Sequence, residues 1–167
     1  MKRNALLHQL VTHENTFDFI VIGGGATGLG IALDAITRGA SVALFEQDDF
    51  TKGTSSRSTK LVHGGVRYLA QGDVSLVLEA LRERGLLRKN ASHLVKNQSF
   101  LIPCYRWWEG AFYTIGLILY DLMAANLGFG RSFCIGPKRA VKTIPMLRKK
   151  GMKAGVIYHD GQFDDSR

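Results

Sequence analysis

The chain has 167 residues, 46% of them hydrophobic, with 9 Phe and 5 Tyr, which is apolar enough for a packed core and excludes an intrinsically disordered chain. The formal net charge of +8 suits an anionic partner such as a phosphorylated metabolite or anionic lipid, or reflects a charge balance completed elsewhere in a longer protein. No Lys/Arg run exceeds three and no nucleic-acid motif is present, so nucleic acid is not an expected partner.

Residues 1–16 carry basic side chains but too short an apolar stretch for a signal peptide, and predict a short helix packing under the first strand. Phe17 to Ile22 is an apolar run suited to a buried parallel strand. Gly23, Gly25 and Gly28 follow at GxGxxG spacing. The first permits a tight turn, the second a close approach of a pyrophosphate, and the third close packing of helix on strand. The helix opening there offers free N–H groups and a positive dipole end, and Gly39 can end it in the left-handed conformation. Ser41 to Phe45 reads as a second strand, closed by Glu46, whose carboxylate can accept hydrogen bonds from ribose hydroxyls. An acid there fits an unphosphorylated ribose, so FAD or NAD rather than NADP.

Residues 51–60 form a Ser/Thr-rich loop, either a solvated linker or, because it follows the acid directly, a lining for a cofactor's phosphates. His63, Gly64, Gly65, Arg67 and Tyr68 follow within six residues. The glycine pair lets backbone approach something flat or bulky; the plain alternative is a turn with a capping His and a surface Arg. Asp73 reads as an N-cap, with Val74, Val77, Leu78 and Leu81 on the core face and Glu79, Arg82, Glu83 and Arg84 on the other.

Ser99 to Ile102 predicts a strand stopped by Pro103. Ala111 to Phe129 is near the length of a membrane span, but Asp121 and Asn126 interrupt it, so a buried or interfacial helix is expected. Trp107 and Trp108 before it suit a membrane surface or core packing. Lys138 to Ile144 suggests a short helix ended by Pro145. Val156 to His159 and Gln162 to Asp164 read as two strand pieces around an Asp160-Gly161 turn. Asp164 or Asp165 is a plausible N-cap for a following helix. Cys104 and Cys134 lack metal or CxxC spacing and read as reduced thiols; no metal site is expected.

Three segments carry a resemblance: 18–28, 54–69 (Thr-Ser-Ser-Arg-Ser-Thr-Lys-Leu-Val-His-Gly-Gly-Val-Arg-Tyr-Leu) and 158–167 (Tyr-His-Asp-Gly-Gln-Phe-Asp-Asp-Ser-Arg). Together they are similar to the FAD-dependent glycerol-3-phosphate dehydrogenases and related glycerophosphate oxidases, within the glycine-oxidase-like flavoenzymes. The resemblance implies an α/β, Rossmann-like FAD-binding domain of the glutathione-reductase-related type, incomplete here, with the start of a substrate or cap domain. The boundaries expected are 1–16 as an extension, 17–100 as the first part of the FAD domain, and 101–167 as the start of the cap region.

By the same resemblance, Gly23, Gly25 and Gly28 would turn under the FAD pyrophosphate and Glu46 would hold the adenosine ribose. Thr54, Ser55, Ser56, Ser58 and Lys60 would line the phosphate and ribityl path. His63, Gly64 and Gly65 would lie along the isoalloxazine ring, with His63, Arg67 and Tyr68 on the substrate side. The implied reaction converts sn-glycerol 3-phosphate to dihydroxyacetone phosphate. His63 serves as base, hydroxyl orienter or simple structural support; Arg67 as phosphate partner or surface ion pair. A quinone, or oxygen in the oxidases, takes the electrons. The location implied is cytoplasmic or peripheral on the inner face of the cell membrane, and the 167 residues alone are expected to be inactive.

Overall fold

A computed structural model describes residues 3–12, 16–69 and 71–164, without the side chain of Arg67. The chain divides into two compact units, one running to Ser58 and one beginning at Thr59.

The first unit opens with helix α1 (Arg3–Val11), which has no buried residue. The helix expected near the N-terminus therefore forms, but it does not pack under a strand. Its leucines Leu6 and Leu7 stay exposed. Strand β1 (Phe19–Ile22), helix α2 (Ala26–Thr37) and strand β2 (Val42–Phe45) then form a βαβ unit, with Phe19 opposite Val42 and Ile22 opposite Phe45 in parallel register. The parallel pairing meets expectation; the burial of β1 does not. Only Val21 is buried, while Ile22 is 87% exposed. A two-stranded sheet covered by one helix has too few neighbours to bury both faces of its strands.

Local chemistry fixes the ends of these elements. Asp18 accepts hydrogen bonds from the Ser41 N–H (2.7 Å) and hydroxyl (2.8 Å), tying the start of β1 to the start of β2. These bonds hold the Asp18 carboxyl below the usual carboxylate range. At the other end of α2, Gly39 sits at φ +88°. Its N–H donates to the Ile36 carbonyl and the Ala40 N–H to the Ala35 carbonyl, the paired bonds of a Schellman motif.

The second unit is built on strand β6 (Ala154–Phe163). Strand β4 (Val95–Cys104) pairs antiparallel with it along its whole length, from Val95 opposite Phe163 to Cys104 opposite Ala154. Strands β3 (Leu61–Val62) and β5 (Phe133–Ile135) pair with β6 near Gly161 and Val156 respectively, both antiparallel. The remaining elements are helices α3 (Val66–Leu69), α4 (Val74–Asn90), α5 (Glu109–Ala124) and α6 (Pro137–Thr143), with a 3-10 turn at Ala125–Leu127. Val77 and Leu81 of α4 pack on Tyr120 and Ala124 of α5. Leu117 of α5 packs on Cys104 and Val156 of the sheet. Ala140 of α6 joins Ile135 and Met152 in a third cluster.

Three sequence expectations are corrected in this unit. Asp160-Gly161 is no hairpin turn: β6 runs straight through it. Asp160 is buried, and a Cβ on Gly161 would lie 2.9 Å from the Val62 carbonyl oxygen, so the glycine is there to let β3 approach. Pro103 does not stop β4, which continues to Cys104; among the described residues β4 pairs on one edge only, where a residue without an N–H is tolerated. Arg84 is not on the solvent face of α4. The buried stripe is Val77, Leu81, Arg84 and Gly85, whereas Val74 and Leu78 are exposed. The expected N-cap is present, Asp73 accepting from the Leu76 N–H at 3.1 Å. Asp164 accepts from Lys96 Nζ (2.8 Å); Asp165 and the positions of the helix expected after it lie outside the described residues.

Candidate functional site

In the first unit the glycine turn is sterically determined. Gly23 has φ +105°, and its N–H donates to the Phe45 carbonyl at 2.8 Å. A Cβ on Gly28 would fall 1.9 Å from the Gly23 carbonyl oxygen, so α2 starts against the turn at a distance only glycine allows. Gly24, not singled out by the GxGxxG spacing, is equally constrained: its Cβ would meet the Phe50 ring at 2.5 Å. Gly25 caps α2 without a side chain of its own. The Ser55 hydroxyl accepts from the Ala26 N–H instead, at 3.1 Å.

Glu46 stands immediately after β2, as expected, and braces the turn. Its Oε2 accepts from the Gly24 N–H (2.7 Å) and its Oε1 from the Asp48 N–H (3.0 Å). The Asp48 bond, then the Gly24 bond, hold its carboxyl below the usual range. The Gln47 N–H adds a third, smaller contribution, and of a carboxylate's roughly four lone-pair sites the remainder is open to a ribose hydroxyl. Residues 51–58 are a run of tight turns. Thr54 is exposed, Ser56 Oγ donates to the Lys52 carbonyl (2.8 Å), and Ser58 Oγ donates to the Ser55 carbonyl (3.2 Å).

In the second unit, Lys60 takes φ +58° and its carbonyl accepts from the Phe163 N–H at 2.9 Å. His63 is exposed; Gly64 and Gly65 are buried. Gly65 has φ +69°, and Tyr68, half-exposed on α3, folds over it so closely that a Cβ would meet its ring at 2.8 Å. Arg67 lies on α3; its side chain is outside the described residues.

Beneath this segment is a buried polar cluster that sequence reasoning did not assemble. The Gly64 N–H donates to Tyr120 Oη at 2.9 Å. The same hydroxyl accepts from Arg84 Nη1 (3.2 Å) and faces both Asp160 oxygens at 3.4 Å. Arg84 and Asp160 form an ion pair whose side chains are only 2% and 3% exposed. Burial pushes the Asp160 carboxyl up; Arg84, the Gly64 N–H and the nearby charge of His63 oppose that rise. Burial, then the Asp160 charge, push the Tyr120 phenol up, so it stays a neutral donor. Periodicity held a signal for Arg84, three residues after Leu81 and seven after Val77.

The glycine turn, the helix that opens directly from it and the acid after β2 fit a dinucleotide. Residues 18–167 match the pattern of the FAD-dependent oxidoreductases. The chain belongs to that family. As an FAD-dependent oxidoreductase it is 48% identical over 168 residues to the mitochondrial glycerol-3-phosphate dehydrogenase of Homo sapiens, covering 95% of this chain and 23% of the relative. It is 45% identical to that of Saccharomyces cerevisiae, covering 100% of this chain and 27% of the relative. The glycerol-3-phosphate dehydrogenase of Bacillus halodurans complexed with FAD superposes with a TM-score of 0.66 at 32% identity, over 98% of this chain and 25% of that one. The chain thus spans about a quarter of the length of the curated relatives it matches. The expected Rossmann-like flavoprotein fold class and FAD as family cofactor both hold.

Proposed function

We propose that this chain is the FAD-binding, N-terminal part of a dehydrogenase that oxidises sn-glycerol 3-phosphate to dihydroxyacetone phosphate. The observation that carries the reading is the glycine turn, where the Gly28 Cβ position lies 1.9 Å from the Gly23 oxygen, in a chain 45–48% identical to glycerol-3-phosphate dehydrogenases. Gly23, Gly25 and Gly28 would hold the pyrophosphate with the α2 N-terminus, and Glu46 the ribose. Thr54, Ser55, Ser56, Ser58 and Lys60 would follow the phosphate and ribityl chain. Bound FAD supplies the two-electron acceptor for the hydride leaving C2 of the substrate.

This chain's own residues bind and orient. Gly64 and Gly65 would follow the flavin ring with their backbone, seated close on Tyr120 and Leu81 and under Tyr68 because neither carries a Cβ. His63, exposed beside them, orients the C2 hydroxyl and takes its proton. Arg67 pairs with the substrate phosphate, and Tyr68 supplies a hydroxyl donor. The electrons then pass to a quinone. Support for that acceptor, and for peripheral membrane association, is the apolar stretch Glu109–Leu127, long and apolar enough to cross a membrane. On it Phe112, Ile115 and Leu122 are exposed, and Trp107 just before it is 85% exposed. The relatives' names place them in mitochondria; for this chain a peripheral position on a membrane's inner face is the reading proposed.

The test is a flavin titration of the intact protein followed by anaerobic addition of glycerol 3-phosphate. Saturable FAD binding and bleaching of the visible flavin band are expected, with reoxidation by a short-chain quinone faster than by oxygen. Bound flavin that glycerol 3-phosphate does not bleach sinks the substrate; faster reoxidation by oxygen, with hydrogen peroxide formed, sinks the quinone.

A further inference from the structure

We infer that Tyr120, Arg84 and Asp160 are positioning residues that clamp the His63-Gly64-Gly65 segment in the conformation it presents to the flavin and substrate. This rests on the proposed placement of that segment along the flavin. The clamp is assembled from three elements, α5, α4 and β6, and it meets the segment at one backbone group, the Gly64 N–H. Tyr120 is its hub: one hydroxyl accepts from Gly64 and Arg84 and turns its proton to Asp160.

Geometry also makes the contact selective. A Cβ on Gly64 would lie 2.4 Å from Tyr120 Oη and 2.5 Å from Leu81 Cδ2, so the segment is seated on the clamp with no space between. The charged pair below is dry. Arg84 lies between the Phe129 ring, 4.9 Å from its centroid, and the Tyr120 ring at 5.5 Å, and its Nε has no hydrogen-bond partner. A buried ion pair is weak evidence for stability, whereas fixing one arrangement among several is its best-supported use. A single fixed position for the Gly64 N–H and for the adjoining His63 is what hydride transfer requires, since reacting groups must be held near contact geometry.

The discriminating variant is Tyr120→Phe in the flavin-loaded protein, which keeps the ring and removes only the hydroxyl. FAD affinity should fall about tenfold, the size of one lost hydrogen bond to a partner group. The visible circular dichroism of bound flavin should change, and kcat for glycerol 3-phosphate should fall more than KM rises. Unchanged flavin affinity and an unchanged dichroism band would overturn the clamp. A wild type that binds FAD but ignores glycerol 3-phosphate would overturn the substrate reading and leave the flavin readouts valid. Should Tyr120→Phe not fold, hydrogen exchange on the wild-type holoprotein decides. The Gly64 amide should exchange as slowly as those of Val77 and Leu81, and exchange at the rate of exposed loop amides overturns the proposal.

Discussion

The acidity of Glu46 is set by backbone N–H groups, those of Asp48, Gly24 and Gln47, rather than by another charge. Its carboxyl titrates lower in the folded chain than in the unfolded one, whose ordinary value is 4.5. A lowered carboxyl contributes stability that is fully present above the unfolded value and is lost as pH falls through the folded one. Amide exchange at Gly24 and Asp48 should therefore be pH-independent in its protection above about 4.5 and lose protection on the acid side. Glu46→Gln should shrink that acid limb to the part contributed by the likewise lowered Asp18; an acid limb of undiminished size in Glu46→Gln counts against the assignment. Gly28→Ala acts by sterics instead. With 1.9 Å available between the new Cβ and the Gly23 oxygen, turn and helix must separate, and flavin binding should weaken at least about a hundredfold in a fluorescence titration, since displacing packed backbone costs on the order of 3 kcal/mol.

Between elements, the Arg84–Asp160 pair ties α4 to β6 in the second unit. Arg84→Met leaves the Asp160 carboxylate buried without its cation. It should lower stability by about 3–5 kcal/mol in denaturant unfolding. Replacing both partners by apolar residues, Arg84→Met with Asp160→Leu, should recover most of that loss, because no charge then remains buried. If the double variant is no more stable than the single, charge burial is not the cause. The same pair shows why some of the architecture was legible and some was not. The βαβ unit could be read because each of its constraints is local: a turn, a cap, an acid at a strand end. The Asp160-Gly161 pair could not, because its meaning depends on Arg84, 76 residues away, and on β3 lying against Gly161. Local turn chemistry favoured a hairpin, and tertiary pairing won. Tyr120 was hidden for a related reason: inside an apolar helix, a phenol's hydroxyl partner comes from other elements.

At the scale of the whole chain, apolar burial is unevenly distributed. Val77, Leu81, Cys104, Leu117, Tyr120, Ala140 and Val156, all at most 2% exposed, belong to the second unit. Among the described residues of the first unit the buried hydrophobic ones are Val21, Ala32, Ala35 and Ala43, three of them alanines, while Phe19, Ile20, Ile22, Leu33 and Ile36 are exposed. Burial scales with stabilisation at roughly 25 cal/mol per Å². The first unit should therefore open at lower free energy than the second, with the amides of β1 and α2 exchanging well before those of β4 and β6. A ligand that binds only the closed form raises that opening energy by mass action, by about 2.7 kcal/mol when present at 100 times its Kd. FAD at that excess should therefore slow exchange in β1, α2 and β2 of the intact protein about a hundredfold. It should slow the middle of β6 by no more than about tenfold, the share of the affinity that depends on the second unit's clamp, since Val156 and its neighbours are already held by their own core. Equal slowing in both regions would mean that flavin stabilises the chain as one cooperative body. No slowing in β1 or α2 would mean that the glycine turn does not hold the cofactor.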